Sequence, residues 1–229
     1  MNEIEFIEAL KELNISISDI QLEQLNKYYE LLVEWNKVMN LTGITDKKEV
    51  YLKHFYDSLT ICKIIDLDNY STLCDIGTGA GFPGMVLKIL FPNLKITLVD
   101  SLNKRINFLN EVIKELELEN IIAVHSRIEE FRGNFDIVTA RAVSQLNILL
   151  EYAIPLVKKD GYFIPLKANI EEEINNSSNA FKELRCEIID KIEFVLPVEN
   201  SNRTILKIKK YDINNKYPRK FSEIKKKPL

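Results

Sequence analysis

Residues 73–84 read Leu73-Cys74-Asp75-Ile76-Gly77-Thr78-Gly79-Ala80-Gly81-Phe82-Pro83-Gly84. An apolar run that ends on a carboxylate and passes into a glycine-rich turn predicts a strand feeding a helix, through backbone able to take positive φ and approach a ligand closely. A second apolar run, 95–99, ends at Asp100. A carboxylate at that strand end can accept hydrogen bonds from both hydroxyls of a ribose. The pairing predicts an adenosine-containing cofactor.

The spacing leaves the cofactor to be decided. Gly79, Gly81 and Gly84 match the dinucleotide fingerprint G-x-G-x-x-G, a weak signal alone. Asp75 ahead of the first glycine, the extra Gly77, and Pro83 where a dinucleotide-binding helix would be under way all point away from NAD. A carboxylate near the turn repels a pyrophosphate. It attracts S-adenosylmethionine, which has no phosphate and carries an α-amino group and a sulfonium. The methyl donor is therefore the expected cofactor.

Working outward, apolar runs at 72–76, 95–99, 121–125, 135–140 and 161–166 predict strands, and amphipathic stretches at 85–90, 104–116 and 146–156 predict helices. This alternation specifies a doubly wound, mostly parallel α/β sheet; taken with the expected methyl donor, the fold anticipated is a Rossmann-like, class I methyltransferase. Runs at 188–195 and 204–209 predict an antiparallel edge. Upstream, Ser18 and Gln21 read as a capping box opening a helix whose apolar stripe runs from Ile20 through Trp35 to Met39. With helical stretches at 4–13 and 49–65 it predicts an N-terminal extension, residues 1–70, packed on a methyltransferase domain at 71–210. Residues 211–229 form a basic C-terminal tail.

The chain has 229 residues, 46% of them apolar, enough to build a core. No signal-peptide or membrane-length apolar run is present, so a cytoplasmic protein without membrane contact, reduced thiols at Cys62, Cys74 and Cys186, and no metal site are expected. The net charge of −3 conceals an asymmetry: from Arg203 onward ten Lys or Arg face two acids. That end either meets phosphates or is simply solvated.

In an open parallel sheet, ligands bind beyond the carboxyl ends of the strands. Ile128 and Glu129 follow the third strand and could hold an adenine by packing and hydrogen bonds. Arg141 interrupts a small-residue run at the next strand end, where catalysis normally sits. Asn40, His54, Lys167 and Arg203 are candidates for an RNA face, with an ordinary capping, packing or sheet-edge role as the alternative for each. Trp35, on the apolar stripe, is assigned to the core.

The combination of Asp75 to Gly84, Leu98-Val99-Asp100-Ser101-Leu102-Asn103-Lys104-Arg105, Arg141-Ala142-Val143-Ser144 and Pro165-Leu166-Lys167-Ala168 resembles the small-subunit (16S) ribosomal RNA guanine-N7 methyltransferase family. Trp35-Asn36-Lys37-Val38-Met39-Asn40 and His54 to Leu59 are similar to it as well, so the likeness spans nearly the whole chain. Ala168-Asn169 departs from the pattern, standing where a glycine is expected. The resemblance implies methyl transfer to N7 of a guanine in the decoding-region loop of 16S rRNA. It places cofactor contacts on Gly77, Phe82, Ile128, Glu129 and Arg141, to which the strand-end argument adds Asp100 as the candidate ribose ligand. It also implies 16S rRNA or the small ribosomal subunit as partner, and a monomer is expected. Two rival readings stay open: a nicotinamide-dependent oxidoreductase, and an RNA-binding assembly factor that keeps the fold as a scaffold.

Overall fold

The computed structural model describes residues 1–229. Helices α1 (Glu3–Glu12) and α2 (Asp19–Met39) lead into a composite helical stretch: α3 (Lys47–Glu49), a π-helix over Val50–Tyr56, α4 (Asp57–Leu59) and a 3₁₀ turn over Thr60–Lys63. The α/β part runs β1 (Thr72–Ile76), α5 (Gly84–Leu90), β2 (Lys95–Asp100), α6 (Asn103–Glu115), β3 (Ile121–His125), β4 (Phe135–Arg141), α7 (Leu146–Ala153) and β5 (Val157–Lys167). It closes with α8 (Glu171–Asn175), α9 (Ser178–Leu184), β6 (Cys186–Val195), β7 (Asn202–Lys210) and α10 (Phe221–Lys226).

The seven strands lie in the order β3-β2-β1-β4-β5-β7-β6. Strands β1 to β5 pair in parallel, while β7 is antiparallel to both β5 and β6. The order reverses between β1 and β4, the switch point at which such sheets open a crevice. Alternate residues feed opposite layers, as the period of two requires. Leu73, Leu98 and Ile137 join one core with the N-terminal helices, α5 and α6. Cys74, Val99 and Val138 join the other, with α7 and α9.

The N-terminal helices are tied into the sheet by specific bonds. Ser18 and Gln21 make the expected capping box, and the same Gln21 amide donates to the Ile89 carbonyl oxygen at 2.8 Å. Gln24 reaches Leu116 O at 2.9 Å. At its other end α2 stops on Asn40, a left-handed C-cap at φ 49°.

The last two strands form the expected antiparallel edge, with β6 outermost. Two features differ from the sequence expectations. β5 begins at Val157 rather than 161, because Lys158 to Asp160 interrupt the apolar run by which a strand is read. The basic C-terminal segment is docked rather than a solvated tail. Arg219 makes a two-pronged contact with the fully buried Glu151 at 2.8 and 2.6 Å, and Ile224 is buried in the second core.

Candidate active site

The glycine turn wraps around Asp75. This carboxylate is completely buried, and its Oδ2 accepts from Thr78 Oγ1 at 2.6 Å and from the Gly84 amide at 2.8 Å. Burial raises its pKa to about 6, against the pull of those two hydrogen bonds. Asp75 thus braces the turn through Oδ2, while its buried Oδ1 has no partner. The same geometry weakens the dinucleotide reading, because the Gly84 amide at the start of α5, a natural phosphate donor, is spent on Asp75.

Gly77 and Gly79 both take positive φ, 66° and 62°. A side chain on Gly77 would meet Val143 Cγ2 at 2.7 Å, so the loop after β4 lies directly over it. A Cβ on Gly79 would meet nothing within 4 Å. The turn thus presents bare backbone to open space, the cradle that a cofactor fitting against it needs. Asp100, 2% exposed, fixes that cradle: its Oδ2 accepts from the Gly79 amide at 2.9 Å and from Arg105 Nη1 at 3.1 Å, and its Oδ1 from the Leu102 amide at 2.9 Å.

Beyond β3, Ile128 packs against the second core. Glu129 takes a hydrogen bond from Arg127 Nε at 2.6 Å. The Arg127 guanidinium in turn lies 4.5 Å from the centroid of the Phe221 ring, so the C-terminal helix reaches the cofactor side of the sheet.

Across the turn, Phe82 is 6% exposed and forms the floor of a polar cluster. His54 stacks on it at 4.4 Å with 19° between the planes, and Arg141 stands 5.3 Å above its centroid. His54 Nε2 shares a 2.8 Å hydrogen bond with Thr42 Oγ1, while its buried Nδ1 has no partner. Burial, reinforced by the Arg141 charge, lowers the His54 pKa to about 4, so the imidazole is neutral at physiological pH. Arg141 Nη1 donates to Lys53 O and to Asp57 Oδ2, both at 3.2 Å. Arg203 Nε donates to the other oxygen of Asp57 at 2.9 Å.

Phe82, His54, Arg141 and Arg203 are therefore brought into one group, and Gly77 adjoins it through the Arg141 to Ser144 loop. Lys167 is placed otherwise: its ammonium donates to Ser144 O and to Glu173 Oε2, each at 2.6 Å, which makes it a strut for that loop. Asn40 is exposed and caps α2. Two residues were missed from sequence. Asp57 sits inside the His54 to Leu59 motif with nothing local to show its partners. Tyr28, buried on α2, donates to Ala80 O at 2.5 Å and supports the turn from beneath.

The family model GidB, described as rRNA small subunit methyltransferase G, matches residues 21–201. The chain belongs to this family. Ribosomal RNA small subunit methyltransferase G of Bacillus subtilis is 49% identical to it over 237 aligned residues, covering all of this chain and 99% of that protein. The Exiguobacterium sibiricum protein of the same name is 48% identical, with both chains covered completely. Among solved structures, a SAM dependent methyltransferase from Aquifex aeolicus aligns with TM-score 0.54 and 18% identity over 74% of this chain and 96% of that one. The [4+2]-cyclase SpnF aligns with TM-score 0.55 and 13% identity over 68% of this chain and 81% of that one. These likenesses establish the class I methyltransferase fold for this rRNA small subunit methyltransferase G family member, and the cyclase among them shows that the fold alone does not fix the chemistry. No helix is long and apolar enough to cross a membrane.

Proposed function

We propose that this protein transfers a methyl group from S-adenosylmethionine to N7 of a guanine in the decoding-region loop of 16S rRNA, acting as a cytoplasmic monomer on the rRNA or the small ribosomal subunit. The observation that carries the cofactor part is the bare backbone face of Gly79, whose amide is held by Asp100 at the end of the neighbouring strand. When bound, S-adenosylmethionine would supply an electrophilic methyl, which the N7 lone pair would take in line as the S–CH3 bond breaks and its electron pair leaves with the thioether of S-adenosylhomocysteine.

Asp100 holds the Gly79 amide and offers remaining lone pairs to ribose hydroxyls. Ile128 and Glu129 form the adenine wall, and Gly77 and Phe82 the floor under the reacting end. Guanine N7 has no proton to lose, so no general base is required. A neutral, buried His54 suits that demand: it orients Phe82 without adding charge beside a sulfonium. Arg141 is fixed by Lys53 O and Asp57 and serves as the positioning cation at the strand end. Alignment of donor and acceptor is the main catalytic device, an effect of several kcal/mol. Asn40, His54 and Arg203 form the RNA rim, and Lys167 acts on it through the loop it braces.

The test of this reading is stabilisation by S-adenosylhomocysteine set against NADH, paired with transfer of labelled methyl from S-adenosylmethionine to 16S rRNA. Stabilisation by the first alone, with label in the RNA, supports the reading. Stabilisation by NADH without transfer overturns it.

A further inference from the structure

We propose that Asp57 is a positioning residue that holds Arg141 and Arg203 as one unit with a single net positive charge, for one backbone phosphate of the RNA substrate. Asp57 is 5% exposed and lies directly after the π-helix Val50–Tyr56. Its Oδ2 accepts from Arg141 Nη1 at 3.2 Å and its Oδ1 from Arg203 Nε at 2.9 Å. The arginines come from the end of β4 and the start of β7, strands separated by β5. One guanidinium on each oxygen fixes both side chains and their separation; without the carboxylate two like charges would repel.

Each arginine has a second anchor. Arg141 donates to Lys53 O at 3.2 Å, and Arg203 Nη1 donates to Ser201 Oγ at 2.9 Å and to Asn202 O at 3.0 Å. The Nη2 groups of both take no part in these bonds. The neighbouring Lys53 ammonium is held by two carboxylates, Glu49 at 2.9 Å and Glu199 at 3.0 Å, so it adds no free positive charge. The positive charge on this side belongs to the arginine pair. Planar donors held rigid, with residual positive charge, suit the oxygens of a phosphodiester.

The proposal rests on RNA being the substrate, so wild-type transfer to undermethylated small subunits is measured first; its failure would speak against that reading and not against the role of Asp57. With an active wild type, Asp57→Asn frees a second positive charge and unties both arginines. RNA binding should then depend more steeply on salt, by roughly 0.7–0.9 in the log–log slope. Turnover at saturating substrates should fall about tenfold or more as alignment is lost. Asp57→Glu should recover the wild-type slope and part of the turnover. A folded Asp57→Asn variant with wild-type slope and turnover would overturn the proposal, whatever its melting temperature.

If Asp57→Asn does not fold at the assay temperature, Arg203→Gln carries the test, because that side chain is partly exposed. It leaves Asp57 paired one-to-one with Arg141, so the slope should become shallower by roughly the same 0.7–0.9. Turnover should drop while S-adenosylmethionine affinity holds. Wild-type slope and turnover in Arg203→Gln would overturn the proposal.

Discussion

The hydroxyl of Tyr28 donates to the carbonyl oxygen of Ala80 across 2.5 Å, joining the N-terminal helix α2 to the middle of the glycine turn. The extension is thus part of the site. Tyr28→Phe leaves the buried Ala80 carbonyl unpaired and should cost about 1–3 kcal/mol of stability. Affinity for S-adenosylmethionine should weaken with it, since the turn loses its support. Thermal melting and calorimetric titration of the variant check both effects, and unchanged affinity would detach Tyr28 from cofactor binding.

Two buried groups give stability an unusual pH profile. Burial raises the Asp75 carboxyl from 3.8 to about 6, so the native state holds its proton more tightly than the unfolded chain. Its contribution is present at low pH and is lost as pH rises from about 4 through 6. His54 has the opposite sign: burial and Arg141 lower it from 6.5 to about 4, and its contribution is lost as pH falls through that window. Each is worth on the order of 2–3 kcal/mol, and they oppose one another between pH 4 and 6. Asp75→Asn should expose a loss of stability on acidification, and His54→Gln a loss on alkalinisation. Urea unfolding across pH 4 to 7 measures this; parallel curves for wild type and both variants would refute it.

Much of this arrangement was legible in the sequence because it is local. Strand-helix alternation set the parallel sheet, and the Asp75 to Gly84 turn marked the candidate site, at the switch point of the strand order. What escaped was set by contacts distant along the chain. Asp57 meets Arg141 and Arg203 at separations of 84 and 146 residues, which no spacing rule reaches. The bonds of Asp75 to Thr78 and Gly84 were not legible, because a strand-end carboxylate reads the same whether it faces a ligand or braces its own turn.

Lys167 separates two roles that sequence could not. Its ammonium is engaged by Ser144 O and Glu173. Lys167→Met should loosen the Arg141 to Ser144 loop and reduce turnover about tenfold. The salt dependence of RNA binding should stay at the wild-type slope, because no phosphate contact is removed. A slope shallower by roughly 0.7–0.9 would instead assign Lys167 to a phosphate.

Phe221 lies beyond the segment that the family model matches, yet its ring carries Arg127, which orients Glu129. Phe221→Ala should weaken S-adenosylmethionine binding by about two- to fivefold, the value of an exposed cation–π contact. Turnover at saturating cofactor should be preserved. Phe221→Trp should restore the affinity, and wild-type affinity in Phe221→Ala would show that the C-terminal helix does not act on the adenine wall.

The central claim is the identity of the methylated atom. Purified protein incubated with labelled S-adenosylmethionine and undermethylated small ribosomal subunits, followed by nucleoside analysis and mapping of the RNA, tests it most directly. Label in N7-methylguanosine at one decoding-region position is the predicted result. Label in any other nucleoside, or none on subunits and on naked 16S rRNA despite cofactor binding, would contradict it.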